Sequence, residues 1–203
     1  MLKKIKFKSL VNDKKITWLI DLDNTLYLES TEIFKIMDQR IAYYLSYKCR
    51  CDIDMAEKVR KSIFADHNNT FTGVVNEKII TKEELGEFLS FVHGFDIECR
   101  VNPNKKLLKL IQDIKGEKYI FTNSTKEYAT RVLNCLGVNE KFHGIYSVED
   151  FGYTYKPSKA PYLFLLKTLN LLPNNTVIID DMNENLQTAK KLGINTIHVD
   201  EVK

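Results

Sequence analysis

With 203 residues, 44% of them hydrophobic and 11% aromatic, the chain is long enough to bury a substantial core in one domain or in one domain with an insert. Lysine and arginine number 30 against 27 acidic residues, a net charge of +3, which is too small a surplus to mark a nucleic-acid binder. No apolar stretch approaches the roughly 18 residues that cross a bilayer, so no membrane partner is expected.

Cys49, Cys51, Cys99 and Cys135 lie in a chain without a cleavable hydrophobic leader, a pattern that points to a reducing compartment and hence the cytoplasm. Cys49-Arg50-Cys51 lacks the two-residue gap of metal knuckles and redox motifs, and no second pair completes a site. His67, His93, His143 and His198 have no mutual metal spacing.

Residues 3–8 alternate lysine with apolar residues at period 2, which predicts a half-exposed edge strand. Residues 16–20 form a continuous apolar run, the composition of a strand buried on both faces in a parallel α/β sheet. The run ends in Asp21 and Asp23, with Thr25 two residues on. If the strand continued, alternation would put all three on one side; a turn after Asp21 would serve equally well. In such sheets ligands sit beyond the carboxyl ends of strands, where these carboxylates fall.

After Tyr27 the periodicity becomes helical. Ser30 can cap a helix with Glu32 in its first turn, carrying Ile33, Met37, Ile41, Tyr44 and Leu45. A second helix is expected over 55–64, and a capping box at 81–84 opens a third with Leu85, Phe88, Leu89 and Val92. Between them, residues 67–73 read as a polar loop. Residues 28–98 therefore form a helical insert, flanked by a core made of residues 1–27 and 99–203.

From Asn102 strands and helices alternate. Asn102 as cap, Pro103 at the first helical position and Gly116 as stop bracket a helix with Leu107, Leu110, Ile111 and Ile114. Strands follow at 119–122, 145–146, 176–179 and 196–199, separated by helices, which predicts an α/β fold with a parallel, Rossmann-like sheet.

Three further sites follow the first, each near the end of a strand or in the loop beyond it, with polar residues suited to phosphate chemistry. Thr122, followed by Asn123-Ser124, offers a hydroxyl and backbone N–H groups for phosphate oxygens, although a plain helix cap has the same composition. Lys156 precedes Pro157. Asp180 and Asp181 directly follow an apolar run, and two acids there near Asp21 and Asp23 would repel one another without a cation. Mg²⁺, a hard cation content with few carboxylates plus phosphate, is the expected cofactor.

The opening Asp-x-Asp-x-Thr, the strand-end Thr122, Lys156-Pro157 and Asp180-Asp181-x-x-x-Asn185, in that order, resemble the four motifs of the haloacid dehalogenase superfamily. The insert stands in the place of that superfamily's C1 helical cap. The resemblance implies a phosphomonoester hydrolase in which Asp21 is the nucleophile and Asp23 the general acid and base. It implies that Thr122, Asn123 and Lys156 bind the phosphoryl oxygens, with Lys156 also stabilising charge on Asp21. Mg²⁺ would then be held by Asp21, the backbone carbonyl of Asp23 and Asp181, with Asn185 supporting and Asp180 nearby.

Within the superfamily the motifs look most like the pyrimidine 5′-nucleotidase family, which implies a small phosphorylated metabolite, such as a nucleoside 5′-monophosphate, as substrate. Asn69 and Thr70 fall in the stretch matching that family's substrate-contacting cap loop, where Thr72 stands in place of its usual arginine. A phosphomutase or phosphotransferase uses the same four motifs, and a non-catalytic binding scaffold would keep the fold.

Overall fold

The computed structural model describes residues 10–27, 32–67, 69–98 and 100–201. The edge strand expected over 3–8 and the Ser30 cap lie outside these residues. In chain order the elements are β1 (Thr17–Ile20), α1 (Ile33–Cys49), α2 (Ile53–His67), α3 (Thr70–Asn76), α4 (Leu85–His93) and α5 (Lys105–Asp113). They continue with β2 (Lys118–Phe121), α6 (Lys126–Cys135), β3 (Gly144–Tyr146), α7 (Lys159–Thr168), β4 (Thr176–Asp180), α8 (Asn183–Lys191) and β5 (Asn195–His198). The chain divides into two compact units, Met1–Ser30 with Val101–Lys203, and Thr31–Arg100. No helix among the described residues is long and apolar enough to cross a membrane.

The first unit is an α/β fold on a five-stranded parallel sheet in the order β3-β2-β1-β4-β5. All four residues of β1 and all five of β4 are buried, as expected for strands covered on both faces. The chain runs outward from β1 through β2 to β3, then returns to the far side of β1 for β4. The crevice at such a reversal is where open α/β sheets bind ligands. Ile20 pairs with both Ile120 and Ile179, so the residues just past β1, β2 and the end of β4 meet at one sheet edge.

One face of the sheet packs Leu19, Phe121 and Ile178 against Tyr162 and Leu165 of α7 and Leu186 of α8. The rings of Phe121 and Tyr162 meet edge to face at 5.0 Å. Each such side chain contributes about 1.5–3 kcal/mol by leaving water, which holds α7 and α8 against the sheet.

Local boundaries differ from expectation in instructive ways. Asn104, not Asn102, caps α5: its Oδ1 accepts the Leu107 N–H at 3.2 Å. The Asn104 N–H donates to the Leu26 carbonyl at 3.0 Å and its Nδ2 to the Thr25 carbonyl at 3.3 Å. Pro103 stays extended and forms an isolated antiparallel bridge with Tyr27. The cap thus also anchors the turn that follows β1. Gly116 is not the helix stop, since α5 ends at Asp113; a Cβ there would lie 1.8 Å from the Ile16 carbonyl oxygen, so close backbone approach requires glycine.

The second unit is helical. α1 buries Ile33, Met37, Ile41, Ala42, Tyr44 and Leu45, and its Tyr44 ring lies 4.7 Å from that of Phe88 on α4. Arg60 of α2 donates to Asp38 of α1 at 2.8 Å and to Glu57. Glu32 precedes α1 in a left-handed conformation without a side-chain cap, rather than lying in the first turn. The described residues of 67–73 are not a loop: α2 runs to His67, and Asn69 caps α3 by accepting the Thr72 N–H at 2.8 Å. Asparagine is a strong N-cap, and that local bond turns an apparent loop into a helix start. The third expected helix begins at Leu85, with Glu84 accepting the Thr81 N–H at 2.7 Å as one half of the capping box.

Candidate active site

Asp21 extends the β1 ladder by one bond, its N–H donating to the Ile179 carbonyl at 2.9 Å. The chain then turns, with the Leu26 N–H donating to the Leu22 carbonyl at 2.9 Å, so a turn rather than a continued strand sets Asp21 and Asp23. Asn24 takes φ 55°, a left-handed conformation that asparagine tolerates, and its Nδ2 donates to Asp181 Oδ2 at 2.9 Å.

Lys156 reaches the same edge from the segment before α7, with its side chain only 1% exposed. Its three ammonium protons meet three acceptors: Asp21 Oδ1 at 2.8 Å, Asp180 Oδ2 at 2.8 Å and the Phe121 carbonyl at 2.7 Å. Burial alone would lower its pKa, but the Asp180 and Asp21 charges outweigh burial and raise it above the ordinary lysine value. Asn123 secures its backbone from both sides: Lys156 N–H donates to Asn123 Oδ1 at 2.8 Å, and Asn123 Nδ2 donates to the Lys156 carbonyl at 3.1 Å. The Asn123 side chain, expected at the substrate, is thus engaged with the lysine.

Asp180 is fully buried. Its Oδ1 accepts from the Met182 N–H and Asn185 Nδ2, both at 2.9 Å, and its Oδ2 accepts from Lys156 and, at 3.1 Å, from Asn185 Nδ2. With two donors on each oxygen, Asp180 orients the ammonium and the start of α8. Asp181 is half-exposed and keeps more of its acceptor capacity.

Asp21, Asp180 and Asp181 each present one carboxylate oxygen, all within 4.8 Å of one another. Burial raises the pKa of Asp21 well above the carboxylate range; Lys156 opposes this, and the charges of Asp180, Asp181 and Asp23 add to it. Burial likewise raises Asp181, against the Asn24 hydrogen bond that favours its charge. Three carboxylates face one ammonium, an all-oxygen, anion-rich set that fits a hard divalent cation.

The carboxylate of Asp23 is not in that trio. Its Oδ1 accepts the Tyr27 hydroxyl, and its Oδ2 accepts the Ser124 hydroxyl at 2.7 Å and the Thr122 hydroxyl at 3.4 Å. Thr122 Oγ1 also accepts the Ser124 N–H at 3.0 Å, so the Thr-Asn-Ser segment is a tight turn. The cap of α6 is Thr125, which accepts the Tyr128 N–H at 3.4 Å. Asn24, Tyr27, Ser124 and Tyr128 were not singled out from the sequence. The hydroxyl of Ser124 is legible there as a polar residue at a strand end, whereas a tyrosine seven residues past the strand looks like core.

The site therefore gathers Asp21, Asp23, Thr122, Lys156 and Asp181 at one sheet edge. Asn69 and Thr70 lie in the helical unit, where Asn69 caps α3 and Thr70, its first residue, is buried.

The profile of the haloacid dehalogenase-like hydrolases matches residues 18–199. Phosphate metabolism protein 8 of Saccharomyces cerevisiae is 27% identical over 203 aligned residues, which cover 91% of this chain and 61% of that protein. This chain thus spans less than two thirds of that relative. The phosphorylated carbohydrates phosphatase of Thermotoga maritima is 24% identical over 177 residues, covering 80% of this chain and 79% of that protein. Among solved structures, a phosphatase of the same class from Thermococcus onnurineus aligns with TM-score 0.60 at 19% identity, over 89% of this chain and 84% of that one. Fold, motif order and sequence profile agree: the chain belongs to the haloacid dehalogenase-like hydrolase family.

Proposed function

We propose that the protein is a Mg²⁺-dependent phosphomonoesterase working through an aspartyl-phosphate. The observation that carries this reading is the meeting of Asp21, Asp181 and Lys156 around one buried point, with the separate carboxylate of Asp23 beside it. Asp21 attacks phosphorus in line, and Asp23 gives a proton to the departing ester oxygen. Asp23 then takes a proton from the water that releases phosphate from Asp21. Lys156 and Thr122 hold the phosphoryl oxygens as negative charge spreads over them. Asp21, Asp181 and the backbone carbonyl of Asp23 would hold Mg²⁺, which would supply charge neutralisation at the nucleophile. Asp180 and Asn123 act through Lys156 rather than on the substrate.

The ester is a small phosphorylated metabolite. The helical unit, inserted after the first motif like a C1 cap, is assigned the choice of leaving group, with Asn69 and Thr70 as contacts. A pyrimidine nucleoside 5′-monophosphate is the lead candidate on motif likeness; the name of the Thermotoga maritima relative favours a sugar phosphate as the second. The test is phosphate release from nucleoside monophosphates, sugar phosphates and an aryl phosphate, with Mg²⁺ and with chelator. Release that needs Mg²⁺ and is lost in Asp21→Asn supports the reading; Mg²⁺-independent release, or full activity of that variant, refutes it.

A further inference from the structure

Asp23 is surrounded by hydroxyls. Tyr27 donates its phenol proton to Oδ1 at 2.5 Å and Ser124 donates to Oδ2 at 2.7 Å, so the two carboxylate oxygens are held separately. Behind Tyr27 stands Tyr128, the phenol oxygens 2.8 Å apart. That contact can run in either direction, and Tyr128 also hydrogen-bonds Asp23 itself, so both hydroxyls bear on the one carboxylate. Burial pushes both phenols well above their ordinary pKa, and the Asp23 charge adds to it, so both remain donors through the neutral range.

Tyr27 is 0% and Tyr128 1% exposed. Phenylalanine would fill these volumes without a polar atom to satisfy, so packing alone gives no reason for two buried hydroxyls. The two rings also come from different places: Tyr27 from the turn after β1, where its backbone bridges Pro103, and Tyr128 from the first turn of α6. Their shared bond ties that turn to α6, and it ends on the one carboxylate outside the acidic trio.

We propose that Tyr27 and Tyr128 are positioning residues for proton transfer, a buried two-phenol clamp that fixes the Asp23 carboxyl group where it meets the leaving oxygen. The inference rests on the acid–base reading of Asp23. In the first step the Asp21–phosphorus bond forms, the bond from phosphorus to the ester oxygen breaks, and the proton on Asp23 passes to that oxygen. In the second, water gives its proton to Asp23 and its oxygen to phosphorus, and Asp21 is released. Each transfer needs Asp23 within hydrogen-bond reach of the reacting oxygen, and a carboxyl group free to rotate spends less time there.

The test exploits the leaving group. An alkoxide needs its proton, whereas para-nitrophenolate leaves without one. kcat/KM, which reports events up to leaving-group departure, is measured on the best alkyl phosphate of the substrate panel and on para-nitrophenyl phosphate. Tyr27→Phe and Tyr128→Phe should each lower the alkyl-to-aryl ratio, by about tenfold for Tyr27→Phe, a fraction of the full general-acid effect. Asp23→Asn should lower it further. Equal losses on both esters in the tyrosine variants, with the ratio reduced in Asp23→Asn, would overturn the clamp. A ratio unmoved in Asp23→Asn would overturn the acid–base reading itself. Thermal melting controls for folding, and Tyr128→Phe decides the matter if Tyr27→Phe does not fold.

Discussion

Replacing Lys156 with methionine removes one charge and leaves the stem's volume nearly unchanged, which isolates the ammonium's part in the site. Its three bonds are buried, to Asp21 Oδ1, Asp180 Oδ2 and the Phe121 carbonyl. Asp21 and Asp180, whose side chains are 9% and 0% exposed, would face each other without a cation. Removing one partner of a buried ion pair costs about 3–5 kcal/mol. For a chain of this size that lowers the melting temperature by roughly 6–20 °C.

The loss depends on pH in a definite direction. Asp21 already has a folded-state pKa above its unfolded value. Such a group contributes stability below the unfolded value and loses it as pH rises through the folded one. Without the lysine that shift grows, so the gap between Lys156→Met and the native protein should widen from pH 5 to pH 8, both measured in chelator by differential scanning fluorimetry. Turnover should fall by about 10²–10³ or more, the scale for one preorganised charge donor. Added Mg²⁺ should recover part of the melting temperature but not the rate. A variant melting within 2 °C of the native protein at pH 8 in chelator would refute the argument that the ammonium compensates these carboxylates.

Two further outcomes follow from the same geometry. Asp181→Asn should weaken the apparent Mg²⁺ affinity without lowering metal-free stability at neutral pH, whereas Asp180→Asn should destabilise the metal-free protein, because it disturbs the contact with Lys156; paired Mg²⁺ titrations and melts check this. Burial raises the pKa of both Asp21 and Asp181, so the metal-free protein should lose stability as pH rises above the usual carboxylate range. The melting-temperature gain from Mg²⁺ should therefore grow with pH, and a gain independent of pH would count against these carboxylates as its ligands.

Much of this arrangement was legible before any coordinates. The apolar runs ending in Asp21, Thr122 and Asp180 announce strands whose carboxyl ends carry function, because continuous hydrophobicity marks two-sided burial and the acids have no packing reason to follow it. The pairing that brings those ends together is not local. It depends on β1 lying between β2 and β4, which the βα alternation permits but does not dictate. Boundaries failed where two residues of one type compete, as with Asn102 and Asn104. Asn104 also bonds a carbonyl in the turn after β1, a tertiary contact invisible in the chain. The stretch 67–73 failed because turn-rich composition suits an N-cap as well as a loop. Tyr27 and Tyr128 escaped notice because a buried hydroxyl and a buried ring are the same letter in the sequence.

The claim beneath the whole account is that Asp21 carries the phosphoryl group between the two half-reactions. Rapid acid quench of the native enzyme during turnover, followed by peptide mass analysis, measures this directly. The account predicts one phosphoryl group on the peptide containing Asp21, labile to base and absent in Asp21→Asn. Steady turnover with an unmodified Asp21 peptide at every quench time, or the adduct on a different residue, would contradict it.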